Sequence, residues 1–92
     1  MLTGKEKREL RSLGNHLKPE LWIGKEAVSA GSIQTLNNSF NTKELVKVKI
    51  LESCELEKEE VAQRLSDQTN SEIVQILGNT ILLYRPLPEQ GS

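Results

Sequence analysis

The sequence predicts a small α/β domain with a two-layer α-β-α-β-α-β-β order and a mixed four-stranded sheet. Three observations predict it. The run "ELVKVKI" (residues 44–50) alternates strictly between apolar and basic residues, the period of a half-buried strand. Helical periodicity with cap chemistry recurs three times ahead of apolar strand runs. "EIVQIL" and "TILLYR" flank Gly78-Asn79, the signature of a tight hairpin.

The elements follow in order. Thr3 and Glu6 have capping-box spacing, so a helix is expected over residues 4–15, with Leu10, Leu13 and Leu17 as its apolar stripe. Lys7, Arg8 and Arg11 group on another side. Gly14-Asn15 supplies a stop, and Pro19 keeps Lys18 extended. Leu21, Trp22 and Ile23 read as a short strand. Ser29 then caps a second helix whose stripe is Ile33, Leu36 and Phe40. In "ELVKVKI", Val46, Val48 and Ile50 share one face and Lys47 and Lys49 the other.

Glu57, Glu59 and Glu60 open the third helix, where the macrodipole favours negative charge, and Val61, Ala62 and Leu65 form its apolar face. Thr69-Asn70-Ser71 closes it. The last strand is almost continuously apolar and therefore belongs inside the sheet. Each strand-helix-strand step is expected to be a right-handed parallel crossover, and the terminal hairpin antiparallel. The domain is assigned to residues 1–86, with a loose tail over 87–92 after Pro86.

The 92 residues fit one domain. The charged start and the lack of a long apolar run give no secretory core and no membrane span, and a single cysteine suits a reducing compartment. A cytoplasmic chain is the expectation. The net charge of −1 hides a polarity: residues 1–49 carry nine Lys/Arg against five Asp/Glu, and residues 50–92 carry three against eight. A polarised chain can present a basic surface without a basic isoelectric point.

Catalytic constellations are missing. His16 is the only histidine and has no ligand-spaced partner, so a metal site is not expected. Cys54 stands between Glu52 and Glu55, which disfavour a thiolate. No phosphate-binding fingerprint of the Walker or dinucleotide type occurs. The expectation is no catalytic residue, no metal and no cofactor.

The candidate binding residues are cations and one loop. Lys7, Arg8, Arg11 and Lys18 lie on or after the first helix, Lys25 in the first loop, Lys47 and Lys49 on one strand face, and Arg85 at the end of the last strand. Like charges two apart on a strand repel, and an anionic ligand relieves the repulsion. A solvated lysine face is an equally good reading of the residues alone. The loop Gly24-Lys25-Glu26-Ala27 precedes a helix N-terminus, whose free amides suit a phosphate.

Taken together, "LTGKEKRELRSLGNHLKPELWIGKEAVSAG", "KELVKVKI" and "QILGNTILLYRP" resemble the YhbY-like proteins, single copies of the CRM (chloroplast RNA splicing and ribosome maturation) domain. The resemblance covers about residues 2–86. It implies a compact RNA-binding domain similar in fold to the C-terminal domain of translation initiation factor 3. It also implies ribosomal RNA of large-subunit precursor particles as the partner, since bacterial single-domain members are linked to those precursors. Family members carry a GxxG loop likened to the backbone clamp of KH domains. Gly24 matches the first glycine, Lys25 a position often basic or small, and Ala27 stands where the second glycine is expected. A methyl there costs roughly 1 kcal/mol or more if φ must be positive, and little otherwise.

The expectation is a non-catalytic, monomeric RNA-binding protein that assists ribosome assembly, with contacts spread over Lys7, Arg8, Arg11, Lys18, Gly24, Lys25, Ala27, Lys47, Lys49 and Arg85. Trp22, Phe40 and Tyr84 all lie in apolar runs and read as core, with Trp22 and Tyr84 as base-stacking platforms the lesser alternative, which leaves RNA shape as the source of specificity. The alternative is a protein–protein adaptor that uses the acidic third helix.

Overall fold

The computed structural model describes residues 2–87; the predicted tail, apart from Leu87, lies outside the described residues. The elements are α1 (Gly4–Gly14), β1 (Leu21–Ile23), α2 (Ala30–Phe40), β2 (Leu45–Ile50), α3 (Lys58–Thr69), β3 (Glu72–Leu77) and β4 (Thr80–Tyr84). The four strands form one mixed sheet in the order β1-β2-β4-β3. β1 and β2 run parallel, with α2 connecting them. β4 is antiparallel to both β2 and β3, so β2 and β3 point the same way with β4 between them. The apolar last strand is interior, as its composition predicts.

Local chemistry accounts for the helix ends. Thr3 and Glu6 make the full capping box: Thr3 Oγ1 accepts from the Glu6 amide at 3.1 Å, and Glu6 Oε1 accepts from the Thr3 amide at 3.0 Å. Ser29 Oγ accepts from the Ser32 amide at 3.1 Å and starts α2. Asn70 ends α3 in the left-handed region at φ 54°, where an asparagine is tolerated.

The main core lies between one face of the sheet and α2 with α3. Leu21 and Ile23, Val46, Val48 and Ile50, and Ile81 and Leu83 supply the sheet side. Leu36, Phe40, Val61, Ala62 and Leu65 supply the helices. α1 packs on the other face, against β2 and β3 and over Leu82. The sheet and its two-helix layer thus carry a further helix that covers only part of the second face.

The stripe of α1 differs from the expected one. Leu13 is 60% exposed, and Leu17 lies beyond the helix. The buried residue of α1 is Gly14, with Lys7, Leu10 and Arg11 half-buried one or two turns before it. Leu82 rises from β4 so far that a Cβ on Gly14 would stand 2.5 Å from its Cδ2. The glycine serves close approach as well as helix termination.

Candidate functional site

The second sheet face is the one that α1 leaves partly open. Because side chains alternate along a strand, the residues between the core positions of β1, β2 and β4 point to this face. Cα pairing puts Trp22 opposite Lys49, Lys49 opposite Thr80, and Thr80 opposite Leu77. One residue from each strand therefore forms a continuous row across the whole sheet. At roughly 4.8 Å per strand, the row spans about 14 Å. Trp22 is 53% exposed and Leu77 63% exposed, and Lys49 is exposed between them. The next row, Lys47–Leu82–Gln75, already lies at the C-terminal end of α1.

Trp22 was expected in the core. The three-residue run Leu21-Trp22-Ile23 follows strand alternation, so its outer two residues are buried and the central tryptophan faces out. Phe40 is fully buried, as expected, and Tyr84 is half-buried. Burial raises the Tyr84 phenol, and the nearby Glu44 carboxylate raises it further.

The loop 24–27 follows immediately on Trp22. It is a tight turn, with the Ala27 amide donating to the Gly24 carbonyl at 2.9 Å. Lys25 and Glu26 are exposed at its tip, and among the described residues their amides donate to no backbone carbonyl. Ala27 has φ 52°, so the position does require positive φ and its methyl is strained. Gly24 sits against the turn after β2: a Cβ there would be 3.1 Å from Ser53 Oγ.

The predicted cations separate into three situations. Lys18, Lys25, Lys49 and Arg8 are exposed, while Lys7 and Arg11 are half-buried along α1. On α1 these basic residues occupy the flank away from Glu6 and Glu9, which line a hollow with Leu10, Leu13 and Tyr84. Lys47 shares the face of Lys49 but is half-buried, and its Nζ donates to the Leu17 carbonyl at 3.2 Å. Arg85 is not brought to this face at all. It lies on the α2/α3 side, where its Nη1 donates to the Thr69 carbonyl at 2.8 Å and to Asn37 Oδ1 at 3.0 Å. Among the described residues the ion pairs are Lys43–Glu20 and Arg64–Glu60, and none of the predicted cations takes part in one.

Sequence reasoning weighed Trp22 only as a lesser stacking option and missed Thr80 and Leu77. Strand alternation was available as a signal for Trp22; the register that places Thr80 and Leu77 beside it was not. Elsewhere, Glu52, Glu55, Glu57, Glu59 and Glu60 are exposed from the turn after β2 into the first turn of α3. Among the described residues no group of three or more His, Cys, Asp or Glu is arranged to hold a metal, and no helix is long and apolar enough to cross a membrane.

Comparison with known proteins gives this arrangement a lineage. The CRS1/YhbY (CRM) domain matches residues 2–85. The probable RNA-binding protein YqeI of Bacillus subtilis is 43% identical over 89 residues, covering 97% of this chain and 93% of YqeI. The probable RNA-binding protein PA4753 of Pseudomonas aeruginosa is 32% identical over 91 residues, covering 99% of this chain and 88% of the relative. The solution structure of SAV1595 from Staphylococcus aureus superposes with a TM-score of 0.82 at 40% identity, covering 99% of this chain and 95% of that one. The expected fold class and family both hold: the chain belongs to the CRS1/YhbY (CRM) domain family.

Proposed function

We propose that this chain is a non-catalytic RNA-binding domain that acts as a cytoplasmic monomer on ribosomal RNA of large-subunit precursors and assists their assembly. The observation that carries the reading is the set of cations without carboxylate partners among the described residues, Lys18, Lys25 and Lys49 with Arg8 and Arg11. Cations held in ion pairs must give up a partner to meet a phosphate; these do not. The names of the relatives supply the chemistry of the anion, RNA, and the resemblance to YhbY-like proteins supplies its ribosomal source. Lysines and arginines on phosphates position an RNA without reading its sequence.

The free amides of Lys25 and Glu26 add to this surface, while the Glu26 carboxylate and the strained Ala27 weaken the loop as a clamp. The loop is one contact among several. Arg85 is left out of the contact set, because its guanidinium is already committed to Thr69 and Asn37.

The test is RNA affinity against salt. Each phosphate contact to a single strand contributes a slope of about −0.7 in log K against log[salt]. Four or more contacts predict a slope steeper than about −2.8. Co-sedimentation with large-subunit precursors, lost on a high-salt wash, tests the ribosomal part. A flat slope with salt-sensitive capture of a basic ribosomal protein supports instead an adaptor using the exposed carboxylates from Glu52 to Glu60.

A further inference from the structure

We propose that the row Trp22–Lys49–Thr80–Leu77 is a stacking platform for unpaired bases, so that the RNA crosses the open sheet face as a single strand. The inference rests on the RNA-binding reading above and adds to it the form of RNA that is taken. A half-exposed tryptophan on a three-residue edge strand contributes nothing to the core, which lies on the opposite face. Its register partner is Lys49, which is in no ion pair among the described residues, and Lys25 follows three residues later in the adjoining loop. An aromatic face bordered by cations fits a flat base with its phosphates. An apolar protein surface would leave those ammonium groups buried without partners.

The rest of the row suits the same ligand. Thr80, at the hairpin end of the interior strand β4, places a hydroxyl midway along the row, able to donate to or accept from a base edge or a ribose 2′-hydroxyl. Leu77 offers a second apolar surface about 14 Å from Trp22. A duplex hides its base faces and cannot reach Trp22, whereas a loop or bulge can.

Because Trp22 is the only tryptophan of the chain, its fluorescence reports the contact directly. The full chain is titrated with an unstructured oligoribonucleotide and with the duplex of the same sequence. The expected result is quenching by the single strand, tighter binding of the single strand than of the duplex, and a loss of about five- to hundred-fold for Trp22→Ala. Trp22→Phe should retain most of the affinity. Trp22→Ala should leave the salt slope unchanged, since a stacked base releases no counterion, whereas Lys49→Ala should reduce it. Preserved thermal unfolding of both Trp22 variants keeps the comparison clean. Unquenched binding, or Trp22→Ala binding as tightly as the natural chain, overturns the platform and leaves the RNA reading standing. Equal or tighter binding of the duplex does the same. Failure to bind either RNA at low salt overturns both.

Discussion

Arg85 lies over the ring of Phe40, its guanidinium carbon 4.8 Å from the ring centroid. The same side chain reaches the last carbonyl of α3 and the side chain of Asn37 on α2. One cation thereby ties the end of β4 to both helices of the main core. Removing it strips hydrogen bonds to a charged donor, each worth about 1.5–3 kcal/mol. Arg85→Ala should lower unfolding free energy by about 2–3 kcal/mol in a urea titration. It should leave the salt slope of RNA binding unchanged. Arg85→Lys should recover only part of the stability, because an ammonium lacks the planar fork that serves Phe40, Thr69 and Asn37 together.

Ala27 is a place where the chain is less stable than it could be. Its φ of 52° costs a non-glycine residue about 1–2 kcal/mol, while glycine brings an entropic cost of about 0.5–1 kcal/mol. Ala27→Gly should therefore raise stability by up to about 1 kcal/mol in thermal or urea unfolding. It also opens the turn to closer backbone approach, so RNA affinity should rise without a change in salt slope.

Lys47 and Lys49 are chemically alike but differently employed. Lys49 is exposed, and Lys49→Ala should flatten the salt slope by about 0.7 and change stability by no more than about 0.5 kcal/mol. Lys47 secures the Leu17 carbonyl ahead of β1, so Lys47→Ala should cost about 1–2 kcal/mol in stability. The double variant should weaken RNA binding more than Lys25→Ala. Paired urea and salt titrations separate the two roles.

The capping box makes α1 sensitive to acid. The Thr3 backbone amide, then the Thr3 side chain, holds the Glu6 carboxyl below its ordinary value of 4.5. The lowered value means that the folded state favours the carboxylate. The contribution is fully present above the unfolded value and is lost as pH falls through the folded one. The stability gap between the natural chain and Glu6→Gln should stay constant above about pH 5 and narrow as pH falls below 4.5. Chemical denaturation across that window checks it. At the alkaline end the sign reverses in pH: the raised Tyr84 phenol stabilises below about pH 10 and ceases to do so as pH rises through its folded value.

The legible parts of this protein were those in which local pattern and tertiary demand agree. The alternation of β2, the serine cap of α2, the left-handed Asn70 and the interior position of β4 all follow from short windows. The misread parts were those decided by what lies across a gap. Leu13 has the spacing of a core residue, but Leu82 fills the space beneath α1 and only Gly14 fits above it. Arg85 ends a strand and looks free, yet the carbonyl that it satisfies is sixteen residues away in the chain. Trp22 is flanked by leucine and isoleucine, and only the pairing of a three-residue edge strand shows which way it faces.

The order β1-β2-β4-β3 also bears on how the protein comes into being. The strand between β2 and β3 is the last of the four to be synthesised, and neither neighbour pairs with the other. A nascent chain that ends before Thr80 holds β1–β2 and β3 as unjoined pieces with open edges. Emergence of residues 80–84 joins them and completes the row from Trp22 to Leu77 in the same event. A chain stalled short of that point can present basic side chains, but it cannot present the assembled face.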